Sequence, residues 1–385
     1  MYEFYIGTKV LYGTGCRSTI SSILRENDWH AVGVVVDHNI VEIELIKKLI
    51  SSIQDTCNTV VVGLCTISEP TYEFLDNAKA VFQNKNLQAI IGIGGGSALD
   101  TAKTMAVLAK NKRPAIEYRG FNKMTEPTLP IIAVPTTAGT GSEVTPNASF
   151  IDSNEKKKMG INGEAIRPKY AILDPELTLS CPEKPTISSA IDSIVHAIEA
   201  YVAKKTNPMA RIFAKEGFKN VFNNLHQVIK EPNKIVFREK VMHGAFLSGI
   251  ALMNSGTGPA AALSYPLGVH FRVPHGIAGG IFVPFVIKHN IKNGYYDYAD
   301  LYEAISDNAP SIDITREERA RMFAEKISSL WYKLSIPDDL TKLEITSESI
   351  PIIVKDVLAL KGALDQNPIP FYEQEIVSVL NSLKL

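Results

Sequence analysis

Residues 88–103 read QAIIGIGGGSALDTAK, and the fold turns on this stretch. The opening run, 88–93, is short, apolar and bounded by turn residues, which is the pattern of a buried strand. It stops at Gly94-Gly95-Gly96-Ser97, and an amphipathic helical pattern over 97–110 follows directly. Glycines between a strand and a helix let the backbone come close to a pyrophosphate. The helix start adds unpaired N–H groups and a partial positive charge. Glycine clusters also make ordinary turns; the strand–turn–helix setting is what points to phosphate, with Asp100 and Lys103 one and two turns along the helix.

Working outward, residues 31–36 (AVGVVV), 59–64 (TVVVGL) and 130–134 (PIIAV) have the same strand character. Amphipathic stretches at 39–55 and 70–84 lie between them. The order is βαβα, which predicts a largely parallel sheet covered on both faces. The leading EFYIGTKVLYG alternates and carries glycines, so it is expected to add a hairpin or an edge strand. In Asp174-Pro175-Glu176-Leu177-Thr178 a strand end meets a helix start, with proline at the first helical position. From Thr186 onward apolar residues recur every three or four positions, as in SSAIDSIVHAIEAYVA and REKVMHGAFLSGIALM. The sequence therefore predicts an α/β domain over 1–180 and an all-helical domain over 181–385.

Composition narrows the class. Hydrophobic residues make up 45% and charged residues 21%, as in an ordinary soluble globular chain. Net charge is −1, and the densest basic run, Lys156-Lys157-Lys158, is too short for a nucleic-acid footprint. No apolar run is long enough to span a bilayer, and MYEFYIGTKV lacks the order of a signal peptide. Four scattered cysteines without a CxxC pair suggest neither disulfides nor a thiolate zinc site. The expectation is a cytoplasmic protein without nucleic-acid or membrane partners.

Three further groups carry chemistry. Pro135-Thr136-Thr137-Ala138-Gly139-Thr140-Gly141-Ser142-Glu143 leaves a predicted strand with four hydroxyls and two glycines, able to hold ribose and phosphate or simply to turn. No lysine follows its glycines, so it is not a Walker loop. Asp37 ends the AVGVVV strand, where a carboxylate can bind ribose hydroxyls and repel a 2′-phosphate, or can form a turn. Asp192 and His196 are four apart on a predicted helix, hence on one face. Such a pair can bind one divalent ion, or can be a surface pair or a buried hydrogen bond. His275, in a Val-Pro-His-Gly turn, is the natural additional ligand.

Taken together, GGGSALDTAK, PTTAGTGSEVT, ILDPELT, AIDSIVHAIEAY and PLGVHFRVPHG resemble the iron-containing (group III) alcohol dehydrogenases, across essentially the whole chain and in the family's order. The resemblance implies the dehydroquinate synthase-like fold: a Rossmann-like NAD-binding domain, a helical metal- and substrate-binding domain, and chemistry in the cleft between them. It implies cofactor contacts from Gly95, Gly96, Ser97, Thr136, Thr137, Thr140 and Lys158, with Asp37 matching members that prefer NAD; Gly94 and Asp100, from the glycine turn and the helix after it, are expected to join them. Members bind Fe²⁺ or Zn²⁺ through one Asp and three His. Asp192, His196 and His275 match three of these ligands, and Ala261 stands where the fourth, a histidine, is usual. Tyr265 replaces a histidine that many members hold near the nicotinamide. A homodimer is the family's usual assembly.

The expected activity is NAD(H)-dependent interconversion of a small alcohol and its aldehyde, the substrate being polar or anionic if Tyr265 hydrogen-bonds a substituent. Three ligands plus substrate or water can still form a working tetrahedral site. The alternative is a metal-free reductase in which His275 or Tyr265 donates the proton. A dehydroquinate synthase-like lyase and a non-catalytic NAD-binding protein are the readings from other classes.

Overall fold

The computed structural model describes residues 1–306 and 314–383. They fall into two compact units: Ile6–Pro182 with Pro232–Met242, and Met1–Tyr5 with Glu183–Glu231 and His243–Leu385. Below they are called the α/β unit and the helical unit.

The α/β unit is built on nine strands: β1 (Lys9–Tyr12), β2 (Ala31–Asp37), β3 (Thr59–Cys65), β4 (Ala89–Gly94), β5 (Gly120–Phe121), β6 (Ile131–Pro135), β7 (Asn147–Asp152), β8 (Lys157–Asn162) and β9 (Tyr170–Leu173). Six of them form one sheet in the order β1-β9-β6-β4-β2-β3, with parallel pairing throughout. Helices α1 (Ile20–Glu26), α2 (Glu44–Gln54), α3 (Tyr72–Phe82) and α4 (Gly96–Leu108) accompany it. Alternation along the strands sends side chains to two cores. Val32, Val34, Val36, Ile91 and Ile93 pack with Ile46, Leu49 and Ile53 of α2. Val35 and Ile90 pack with Leu75 and Phe82 of α3 and with Ala102 and Met105 of α4. Gly92 lets α4 lie close to the sheet: a Cβ there would come within 2.7 Å of that of Ala102.

The leading segment forms an edge strand, one of its two expected forms, because β1 pairs in parallel with β9. Two findings differ from the sequence expectation. Pro175 opens only a single 3₁₀ turn, capped by the Asp174 carboxylate. A second sheet, β5-β8-β7, contains the antiparallel pair β7/β8; its KKMGIN strand is too polar to stand out by hydropathy.

The helical unit contains α5 (Glu183–Val202), α6 (Pro208–Lys230), most of α7 (Ile235–Met253), α8 (Pro259–Phe271), α9 (His275–Lys292), α10 (Tyr298–Ile305), α11 (Arg316–Lys333), α12 (Ile350–Ala359), α13 (Lys361–Leu364) and α14 (Glu373–Ser382). From Ala190 to Val202, α5 is buried on all sides, the mark of a central helix. α9 packs against it through glycines. A Cβ on Gly276 would drive into the Ser188 carbonyl, and one on Gly280 would meet Ile191 at 2.7 Å. That approach brings the start of α9 to the side of α5. Among the described residues, no helix is long and apolar enough to cross a membrane.

Candidate functional site

In the α/β unit, strand order reverses between β2 and β4: the chain passes from β2 to β3 on one side, then to β4 on the other. Ligands of open α/β sheets bind beyond the carboxyl ends of the strands at such a point. Asp37 ends β2 and Gly94 ends β4, so the two sequence candidates meet there. Gly94 has φ +150°, and a Cβ on it would press against the Cβ atoms of Asp37 (2.9 Å) and Ala98 (2.7 Å); only glycine fits both constraints.

The start of α4 is open, since Gly95 is its N-cap and no side chain caps it. Its first N–H groups are thus available to an anion. The hydroxyl loop lies over this turn. Thr136 N–H donates to the Gly94 carbonyl at 2.9 Å, and Thr140 sits so near Gly96 that a Cβ there would be 2.7 Å from its methyl. Thr137 borders Gly95 in the same way, at 3.3 Å. These features fit a dinucleotide phosphate.

The other candidates are already engaged. Asp37 Oδ1 accepts from the N–H and side-chain amide of Asn39 at 2.9 and 3.0 Å, so it forms the turn as well as edging the crevice. Asp100 accepts from the Ser142 hydroxyl and the Ser149 N–H, which ties α4 to the hydroxyl loop and β7. Ser97 donates to the Ser68 carbonyl, and Lys158 donates to Glu69 at 2.6 Å. Lys103 is fully buried and donates to the carbonyls of Thr145 and Asn147 at 3.0 and 2.7 Å. Burial depresses its ammonium to about 8. It holds the loop before β7 and does not face the crevice.

In the helical unit, Asp192 and His196 of α5 and His275 of α9 converge, with one potential ligand atom from each within 4.8 Å of the others. Asp192 Oδ1 lies 3.5 Å from His196 Nε2 and 3.8 Å from His275 Nε2. These gaps are long for hydrogen bonds and suit a cation seated among three donors. Buried His196 Nδ1 has no hydrogen-bond partner. One carboxylate and two imidazoles so gathered fit a divalent ion of the Fe²⁺ or Zn²⁺ type. Ala261, buried on α8, supplies only a methyl side chain. The Tyr265 ring lies beside His275, centroid to centroid 5.1 Å.

Two neighbours escaped sequence reading. Ser264 Oγ lies 2.9 Å from His275 Nδ1. Glu199, two turns beyond Asp192 on α5, is buried against the start of α8 and accepts from the N–H groups of Gly258, Ala260 and Ala261. Burial pushes its carboxyl up to about 7, against the pull of those three donors and with help from nearby Asp192. Each was visible only as a polar residue inside an apolar helical run.

Comparison with known proteins agrees with this geometry. Residues 7–175 match the iron-containing alcohol dehydrogenase family and residues 186–383 match its C-terminal part. The chain belongs to the iron-containing alcohol dehydrogenase family, and it is an oxidoreductase. It is 28% identical to the NAD-dependent methanol dehydrogenase of Bacillus methanolicus over 99% of this chain and 100% of that protein. Among solved structures it resembles a 1,3-propanediol oxidoreductase (TM-score 0.94, 25% identity, all of both chains). It also resembles the sulfoacetaldehyde reductase of Bifidobacterium kashiwanohense in complex with NAD⁺ (TM-score 0.89, 26% identity, 100% of this chain and 98% of that one).

Proposed function

We propose that the protein uses NAD(H) to interconvert a small, polar or anionic alcohol and its aldehyde, in the cytoplasm and as a homodimer. The observation that carries the reading is the convergence of Asp192, His196 and His275 in a chain whose relatives are alcohol dehydrogenases and aldehyde reductases. The activities of similar proteins, on methanol, 1,3-propanediol and sulfoacetaldehyde, support the substrate class.

In this reading, Asp37 takes the ribose hydroxyls. The open turn at Gly94, Gly95, Gly96 and Ser97 receives the pyrophosphate, with Thr136, Thr137 and Thr140 around it. Lys158 exchanges Glu69 for the cofactor, while Asp100 acts from behind by fixing the hydroxyl loop. Asp192, His196 and His275 orient the substrate oxygen. An Fe²⁺ or Zn²⁺ ion on them would act as a Lewis acid toward that oxygen, and NADH would supply the hydride. Tyr265 borders His275, and in this reading its hydroxyl meets a polar substituent of the substrate.

The test is NADH consumption against a panel of small aldehydes, with and without a strong chelator. Turnover lost to the chelator and restored by Fe²⁺ or Zn²⁺ is the expected result. Turnover indifferent to the chelator would move the proton-donor role to His275 or Tyr265. NAD binding with no turnover on any carbonyl compound would overturn the reading.

A further inference from the structure

We propose that Ser264 is a positioning residue that fixes the tautomer of His275: the proton sits on Nδ1, and the Nε2 lone pair faces Asp192 and His196. The inference deepens the functional reading above and rests on its treatment of the triad as a cation seat.

Ser264 lies on α8 and is fully buried. Its Oγ is 2.6 Å from the Ala261 carbonyl oxygen, one turn back, and 2.9 Å from His275 Nδ1. A hydroxyl has one proton to give, and a carbonyl oxygen can only accept. Two oxygens at 2.6 Å require a proton between them, because otherwise their lone pairs repel. The Ser264 proton therefore goes to Ala261, and Oγ is left as an acceptor for His275. At 2.9 Å that acceptor calls for N–H on Nδ1. In the neutral ring Nε2 is then a bare base.

The consequence falls on the triad. Nε2 of His275 faces Asp192 Oδ1 at 3.8 Å, so two acceptors confront each other across a gap. A cation between them removes the conflict, and the imidazole already presents the lone pair it needs. Hydrogen bonding at the far ring nitrogen is how ligand histidines are generally oriented. Here the hydrogen-bonded chain ends on the carbonyl of Ala261. That residue offers no ligand side chain but anchors the hydroxyl that aims His275. Because a carbonyl does not pass a proton onward, the path is an orienting device and not a shuttle. His196 has no equivalent, since its Nδ1 lacks a partner.

The experiment uses the full chain, labelled with ¹⁵N-histidine and free of metal. Long-range ¹H–¹⁵N spectra at alkaline pH should report His275 with its proton on Nδ1. Ser264→Ala should lose that preference and weaken Zn²⁺ affinity, measured by competition with a chelating dye, by about 10–100-fold. Ser264→Thr, which keeps the hydroxyl, should restore both. A proton on Nε2 in the unaltered chain, or unchanged Zn²⁺ affinity in Ser264→Ala, would overturn the proposal. Neither readout needs turnover. An inactive protein that still shows the Nδ1 proton would sink the dehydrogenase reading and support the tautomer.

Discussion

At the end of β4 the groups offered to a ligand are peptide N–H donors and loop hydroxyls, set in place by a parallel sheet. On α5 and α9 they are three side chains, set in place by how closely two helices pack. The first arrangement tolerates change in any one side chain, because its donors belong to the backbone and to the helix start. The second does not, because each ligand is one residue and its position depends on a neighbour's lack of a side chain. Gly94 and Gly276 mark the contrast. Gly94 is needed for its φ of +150° as well as for space. Gly276 is needed for space alone, since α9 could not reach Ser188 past a methyl.

The contrast can be broken at its sensitive end first. His275→Ala should lower kcat/KM by about 10²–10⁴-fold and leave NAD⁺ affinity unchanged, as checked by steady-state kinetics and by fluorescence titration of the cofactor. A loss confined to cofactor affinity would mean that the triad is not part of the reaction site. Gly276→Ala comes next. Overpacking at such a contact costs about 1–3 kcal/mol, so denaturant unfolding should show reduced stability, and Zn²⁺ affinity should fall with it. Stability lost with affinity intact would show that α9 can yield without moving His275. The smallest effect belongs to the crevice. Asp37→Gly should narrow the preference for NAD over NADP by roughly tenfold, equivalent to about 1.4 kcal/mol. Equal kinetic constants in both proteins would remove Asp37 from cofactor selection.

Legibility in the sequence follows the same division. Strands β2, β3, β4 and β6 announce themselves as short β-branched runs, and the glycine turn declares its own backbone geometry. Helix α2 was the least accurate, starting at Glu44 where the amphipathic pattern suggested 39, because 38–43 is spent in turns at the crevice edge. On α5, the four-residue spacing of Asp192 and His196 was sufficient to place them together. That His275 joins them is a tertiary fact, created by Gly276 and Gly280 and beyond the reach of periodicity; its Val-Pro-His-Gly turn and the family resemblance both point to it as the additional ligand. Ser264 and Glu199 were silent because a polar residue in an apolar run says that it has a partner but not which one. The β5-β8-β7 sheet was missed because its strands are short or polar.

Buried Glu199 couples the helical unit to protons. Its carboxyl titrates at about 7 in the folded chain against an ordinary 4.5. The folded state therefore holds this proton more tightly than the unfolded one. Its contribution to stability is full below about 4.5 and is lost as pH rises toward 7. The charge on Asp192 is one cause of the rise, so a cation that neutralises Asp192 should draw the Glu199 proton off. By reciprocity, losing that proton should tighten the cation. Zn²⁺ affinity should accordingly climb more steeply through neutral pH in the unaltered chain than in Glu199→Gln, and equal slopes would show the two events to be independent. A side chain that touches neither substrate nor metal would thus let the acidity of the surroundings regulate how well the triad is loaded.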